Sequence, residues 1–92
     1  MTTKTILINV EKPTEEKLRS LGVFSWPIWT KKVSKFDWHY DEQEICYFLE
    51  GEVIVSAKNE TVSFGKGDLV IFPQGMDCSW HVKKAVRKHI TK

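Results

Sequence analysis

From Thr30 onward, short segments rich in β-branched and aromatic residues alternate with turn sequences, and this alternation restricts the fold more than any other feature of the chain. The turn sequences lie at residues 41–43, 58–60, 65–67 and 73–75. The intervening segments, each expected to form a β-strand, cover residues 45–49, 53–57, 61–64, 69–72, 78–82 and 86–90. Short strands at this spacing are typical of a β-sandwich or a β-barrel.

The first part of the chain predicts a short strand at residues 5–10 and then one brief helix. Pro13 and Thr14 mark the start of the helix, and acidic residues follow them where the helix dipole favours negative charge. Gly22 lies where a left-handed residue commonly ends a helix. Pro27 lacks a backbone N–H donor, so we expect an extended segment to begin near it.

A chain of 92 residues is long enough for one hydrophobic core, and residues 1–92 are expected to form a single domain. Its 41% hydrophobic fraction, with Trp 4 and Phe 5, supplies large side chains for that core. The formal net charge of +2 is too small for a nucleic-acid groove, and no apolar run approaches the ~20 residues that cross a bilayer. No signal-peptide core follows the N-terminus, so we expect a cytoplasmic protein with reduced cysteines.

Several basic residues near the C-terminus are expected to form a solvated face, or to guard a barrel edge against strand-to-strand aggregation. They are Lys83, Lys84, Arg87, Lys88 and Lys92. An anion-binding surface is the alternative interpretation of this cluster.

Alternate residues of a strand point to opposite faces of a sheet, so residues of equal parity share a surface. Three sets of equal parity are expected to face the centre of the barrel. They are Phe36, Trp38 and Tyr40; Glu44, Cys46 and Phe48; and Cys78, Trp80 and Val82. The predicted cavity therefore has aromatic walls, with one carboxylate and two thiols as its polar groups. By the same rule His39 and His81 point away from it, and His89 is expected to be a partly exposed strand residue.

Glu44-x6-Gly51 and the later Gly67-x5-Pro73-x-Gly75 resemble the paired cupin motifs G-x5-H-x-H-x(3,4)-E-x6-G and G-x5-P-x-G-x2-H-x3-N. The chain is similar to small single-domain cupins grouped with the ureidoglycine aminohydrolase cupin domain. This resemblance implies an all-β fold, namely a cupin-like (RmlC-like) antiparallel jelly-roll β-barrel with one short N-terminal helix. It also implies a homodimer.

Aligned with these motifs, the two histidines of H-x-H correspond to Trp38 and Tyr40, the glutamate to Glu44, and the last histidine to Cys78. Tryptophan cannot ligate a metal, and a tyrosine with the usual pKa of about 10 is a poor ligand at neutral pH. Cupin metals are normally held by imidazoles and one carboxylate. We therefore expect no metal cofactor.

One hypothesis is that the barrel binds a small organic molecule, with or without transforming it. Glu44 is then the polar anchor or the acid/base, because a carboxylate among aromatic rings must find hydrogen-bond donors or suffer desolvation. The expected walls are Trp38, Tyr40, Phe48 and Trp80, with Cys46 and Cys78 at the floor. As a nucleophile Cys78 would need a neighbouring histidine or cation.

Two other functions remain open. One is a metal-dependent hydrolase or oxygenase that uses Glu44 and Cys78, together with Cys46 or water. The other is a packed, non-catalytic interaction module whose aromatic side chains simply fill the barrel. In that case the surface around Ile6, Leu7, Trp26 and Trp29 is expected to pair with another chain.

Overall fold

The computed structural model describes residues 8–58 and 60–91. Seven strands and one α-helix lie in this part of the chain, which confirms the predicted all-β class with one short helix near the N-terminus. The elements are β1 (Asn9–Glu11), α1 (Glu15–Leu21), β2 (Ile28–Lys31), β3 (Ser34–His39), β4 (Glu44–Ala57), β5 (Glu60–Gly65), β6 (Leu69–Phe72) and β7 (Asp77–Ile90). A single 3-10 turn, Val23–Ser25, separates α1 from β2.

All the strand pairs are antiparallel, and the two long strands β4 and β7 hold the barrel together. The first part of β4 pairs with β6 and with the end of β7, whereas its last part pairs with β5 and with the beginning of β7. β2 and β3 pair with opposite ends of β7, and β1 pairs with β6. Both long strands therefore belong to both halves of the barrel.

The sequence predicted separate strands where the structure has one, and a bulge explains the difference. Residues 45–49 and 53–57 belong to the continuous strand β4, and residues 78–82 and 86–90 belong to β7. The register of β4 against β7 shifts between Phe48 and Val53, around Gly51. Gly51 has a φ of +118°, and a Cβ there would lie 2.9 Å from the carbonyl oxygen of Ala85. A bulge of this kind bends a strand without ending it.

The N-terminal helix is built largely as predicted. Thr14 caps it, since the Thr14 Oγ1 accepts a hydrogen bond of 3.1 Å from the backbone N–H of Lys17. Gly22 ends it with a φ of +74°. The predicted strand at residues 5–10 is described only in part, because residues 5–7 lie outside the described residues, and β1 begins at Asn9. No helix among the described residues is long and apolar enough to cross a membrane.

Aromatic rings fill most of the barrel centre. Tyr40 stacks on Phe72 with 4.8 Å between ring centroids, and Phe72 lies 5.7 Å from Trp80. Phe64 lies 5.0 Å from Phe48. Rings packed at such distances attract one another beyond the area that they bury. These rings therefore close the floor of the barrel.

Candidate functional site

A small cavity of about 50 Å³ lies inside one end of the barrel. Its walls come from strands β2, β3, β4 and β7 and from the residue that follows β3. The lining residues are Trp29, Phe36, Trp38, Tyr40, Glu44, Trp80, Lys88 and Ile90. The cavity is thus an aromatic enclosure with one carboxylate and one ammonium group in its wall.

Lys88 lies in a different environment from the one that the sequence predicted. It was expected on a solvated face, but its side chain is only 3% exposed and lines the cavity. The reason is parity, because Lys88 is an even-numbered residue of β7 between the inward-facing Val86 and Ile90. The neighbouring Lys83, Lys84 and Arg87 are exposed, as expected, and Lys92 lies outside the described residues.

Aromatic rings surround the Lys88 ammonium. Its Nζ lies 4.6 Å from the ring centroid of Trp29 and 4.7 Å from that of Trp80. The rings of Phe48 and Phe72 follow at 5.4 Å and 5.7 Å. A cation near the faces of aromatic rings is attracted by their negative quadrupoles, and more strongly when water is excluded. The walls that bury Lys88 therefore also stabilise its charge.

Two polar groups approach the same ammonium. Lys88 Nζ lies 3.7 Å from Glu44 Oε1, an ion pair that is too long for a hydrogen bond. It also donates a hydrogen bond of 3.2 Å to Cys46 Sγ, and this thiol in turn donates to Glu44 Oε1 at 3.4 Å. Burial raises the pKa of Cys46 to about 12, although the nearby Lys88 opposes the shift. The three side chains thus form a chain of contacts that runs from cation to thiol to carboxylate.

The aromatic walls agree only in part with the predicted set. Tyr40 and Trp80 line the cavity and are buried, whereas Trp38 lies at its mouth and is 50% exposed. Phe48 and Cys46 have no exposed surface and lie beneath the lining rather than in it. Four lining residues were not among the predicted walls, although Phe36 was expected to face the barrel centre. They are Trp29, Phe36, Lys88 and Ile90.

Cys78 does not reach the cavity. It belongs to the main hydrophobic core and borders a separate, open depression that Asp77 and Ser79 also line. Burial raises the pKa of Cys78 to about 11, so the sulfur is a thiol rather than a nucleophilic thiolate at neutral pH. The predicted floor is therefore corrected at Cys78, whereas Cys46 lies directly beneath the lining and contacts Lys88 and Glu44.

The three histidines lie outside the cavity, as the parity rule predicted for His39 and His81. His39 is exposed, with its Nδ1 2.7 Å from Asp77 Oδ1. His89 was expected to be partly exposed but is 8% exposed, because its Nδ1 lies 2.9 Å from the carbonyl oxygen of Trp26 and its ring packs edge-on against Phe24. Its odd parity directs it to the helix side of β7, away from Lys88.

The donor groups do not fit a cupin metal. Among residues 8–58 and 60–91, no group of three or more His, Cys, Asp and Glu side chains is close enough to hold an ion. Burial raises the pKa of Tyr40 far above its usual value, so the phenol stays protonated. Glu44 already faces the Lys88 ammonium, which would repel a metal ion. This donor set therefore suits an ion pair and not an imidazole-type metal centre.

One polar atom of a cavity-lining residue has no hydrogen-bond partner among the described residues. The indole Nε1 of Trp80 is buried and makes no hydrogen bond within the described part of the chain. Its N–H lies near Tyr40 and Cys78, and lowers the pKa of both against the larger effect of burial. A buried N–H without an acceptor is costly, and the nearby oxygen of Tyr40 and sulfur of Cys78 offset part of that cost.

Two long bent strands close the antiparallel barrel, and Glu44 and Gly51 lie at the cupin-motif positions. These features define a cupin domain. Residues 18–90 match the family model described as "EutQ-like cupin domain". The chain belongs to this family. Its finer grouping with the ureidoglycine aminohydrolase cupin domain stays a prediction.

Several solved structures are similar to the chain. A DUF861 family protein from Thermotoga maritima has 51% sequence identity and a TM-score of 0.90, over 92% of this chain and 98% of that one. The EutQ protein of Clostridium difficile has 25% identity and a TM-score of 0.63, over 68% of this chain and 50% of that one. A DUF861 family protein of unknown function from Pseudomonas syringae has 26% identity and a TM-score of 0.62, over 68% and 28%. No similar sequence was found among proteins with curated functions.

Proposed function

We propose that this cupin binds a small organic molecule in the cavity beside Glu44 and Lys88, without an imidazole metal centre. The observation that supports the proposal is the ion pair in the cavity wall, where a 3% exposed ammonium faces a carboxylate at 3.7 Å. A buried ion pair gives little net stability, because desolvation offsets the attraction between its charges. Its position beside open space favours a role in binding over a role in packing alone.

Each lining group has a definite part in the proposal. Lys88 donates hydrogen bonds to the ligand and Glu44 accepts one, or acts as its acid/base. Tyr40 and Trp80 are the inner walls, and Trp38 covers the mouth. Pockets of this composition, mostly apolar with a few convergent polar groups, are the usual form of small-molecule sites.

The tryptophans provide a direct test. Trp29, Trp38 and Trp80 line the cavity, whereas Trp26 packs in a separate cluster beside the helix. Indole N–H signals in ¹H–¹⁵N NMR spectra therefore distinguish the cavity from the rest of the surface. In a screen of small polar compounds, we expect ligands that shift the three cavity signals and leave Trp26 unchanged.

Glu44→Gln is the variant that tests the site, and Glu52→Gln is its control. Glu52 forms an ion pair of the same 3.7 Å length with Lys84, on the outside of the same two strands. Compounds found with the wild type should bind Glu44→Gln more weakly and Glu52→Gln equally well. Equal binding to Glu44→Gln contradicts the proposal, and a screen without any cavity ligand favours the packed interaction module instead.

A further inference from the structure

The charges around the cavity cancel. Lys88 contributes one positive charge and Glu44 one negative charge. Burial raises the pKa values of Cys46 and Tyr40, so the thiol and the phenol stay neutral. A charged ligand would bring an uncompensated charge between largely apolar walls, which is costly. Electrostatics therefore favours a neutral ligand.

The same groups have unused hydrogen-bonding capacity. An ammonium has three N–H donors, and Lys88 makes one hydrogen bond, to the weak acceptor Cys46 Sγ, within the described chain. Glu44 receives only the weak S–H donor of Cys46 at its Oε1, as far as side-chain contacts of the described residues go. The cavity thus offers donors on one side and an acceptor on the other.

The size of the cavity limits the ligand. A volume of about 50 Å³ is a few times the ~10–15 Å³ that one water molecule needs on the same measure, which corresponds to roughly three to five non-hydrogen atoms. The aromatic walls favour a flat molecule, since rings stack on planar groups. Drug-sized ligands occupy pockets several times larger.

We propose, building on the function proposed above, that the ligand is a short, neutral, planar molecule in which a carbonyl oxygen and an N–H or O–H donor lie side by side, as in a small primary amide. The carbonyl oxygen accepts from Lys88, and the adjacent donor binds Glu44. Lys88 acts as a fixed hydrogen-bond donor rather than as a nucleophile, because the carboxylate and the surrounding rings stabilise its charged form. The ion pair therefore determines which ligands the site selects.

Three probes of equal shape test the proposal at pH 7: acetamide, acetate and acetamidinium, which carry charges of zero, minus one and plus one. Their dissociation constants are measured from the indole NMR signals of Trp29, Trp38 and Trp80. So few atoms limit the affinity to roughly tens of micromolar or weaker. We expect acetamide to bind at least about tenfold more tightly than either ion. Equal or tighter binding of acetate or acetamidinium overturns the proposal.

Variants of the ion pair give an independent readout. Glu44→Gln leaves the Lys88 charge without a partner, so the affinity for acetate relative to that for acetamide should rise by about tenfold or more. Lys88→Gln leaves the carboxylate without a partner, so the affinity for acetamidinium relative to that for acetamide should rise instead. Lys84→Gln, on the exposed control pair, should change neither ratio. Unchanged ratios in the Glu44 and Lys88 variants overturn the proposal even if acetamide binds.

The outcome also separates this inference from the function that it builds on. If larger or charged compounds bind the cavity and acetamide does not, the ligand class is wrong and the binding function stands. If no compound shifts the cavity indoles, the binding function itself is contradicted.

Discussion

Lys88 and Glu44 form an ion pair between strands β7 and β4 inside the barrel, with 3.7 Å between Nζ and Oε1. A second pair of the same length, Lys84 and Glu52, joins the same strands on the outside. Their environments differ, since the inner ammonium is enclosed by aromatic rings and the outer one is surrounded by water. The two pairs therefore allow the effect of burial to be compared at the same distance between the charged groups.

Lys88→Met should lower the free energy of unfolding by about 2–3 kcal/mol, because it leaves Glu44 facing apolar rings without a partner. The loss stays below that of a fully buried pair, since Glu44 retains some contact with water. Urea denaturation measures it. The double variant Glu44→Gln with Lys88→Met should recover most of the loss, and Lys84→Met should stay within about 0.5 kcal/mol of the wild type. A loss in Lys84→Met as large as that in Lys88→Met would contradict the assignment.

Gly51→Ala should destabilise the barrel by more than about 2 kcal/mol, because its Cβ would meet the backbone of Ala85 and Val86 at 2.9 Å and φ is +118°. Gly75→Ala is the control. Gly75 also has a positive φ, of +82°, but no atom lies within 4 Å of the added Cβ. It should cost only about 1–2 kcal/mol for the left-handed backbone. Thermal denaturation of both variants separates steric clash from backbone conformation, and equal losses would show that the close approach at Gly51 is unimportant.

The free energy of unfolding should fall at alkaline pH because the two buried thiols ionise. Burial raises the pKa of Cys46 to about 12 and that of Cys78 to about 11, from 9.0 for a free thiol. The folded state holds these protons more firmly than the unfolded state, so their contribution is complete below about pH 9 and is lost as pH rises towards 11–12. Urea denaturation at pH 8, 9, 10 and 11 measures the fall.

A variant isolates the thiols from other groups that titrate in this range, such as Tyr40, whose pKa burial also raises. Cys46→Ala with Cys78→Ala should show a shallower fall above pH 9 than the wild type. Parallel curves for the two proteins would show that both cysteines ionise alike in the folded and unfolded chain.

Trp38→Ala should weaken ligand binding with little effect on stability. The side chain is half exposed at the cavity mouth, so its removal should cost less than about 1 kcal/mol of folding free energy. Phe24→Ala removes an equally exposed ring elsewhere, beside Tyr47 and His89, and should leave ligand affinity unchanged. NMR titration of both variants with the same ligand makes the comparison. If Trp38→Ala binds like the wild type, the mouth of the cavity is not part of the site.

The cupin architecture could be predicted because its signals are local. Gly51 and Gly67 require backbone conformations with positive φ, and their spacing from Glu44 and Pro73 follows from the turns between strands. The inward direction of Glu44 and Tyr40 followed from parity alone. These features depend on a few neighbouring residues, so the sequence displays them directly.

The inward position of Lys88 had a local signal in the sequence, but this signal was too weak without knowledge of the residues that pair with it. Val86, Lys88 and Ile90 share one parity, which indicates an inward lysine, but lysine is almost never buried unless it is paired. Its pairing groups come from distant positions, namely Trp29 on β2 and Glu44 on β4. Trp38 was predicted to line the cavity but is half exposed. Parity predicts which face of a strand a residue lies on, but not how far that residue lies from the barrel mouth.

Strands β4 and β7 belong to both halves of the barrel, and this affects how the barrel folds. Cys46 pairs with Ile90 and Ala57 with Cys78, so the central ladder joins the middle of the chain to its last strand. Contacts this distant in sequence must close long loops before they gain any stability, which places such folds among the slow, millisecond-to-second folders. On the ribosome, the ladder can be completed only after Ile90 has left the exit tunnel. Until then the aromatic side chains that will enclose Lys88 are exposed to chaperones and to other chains.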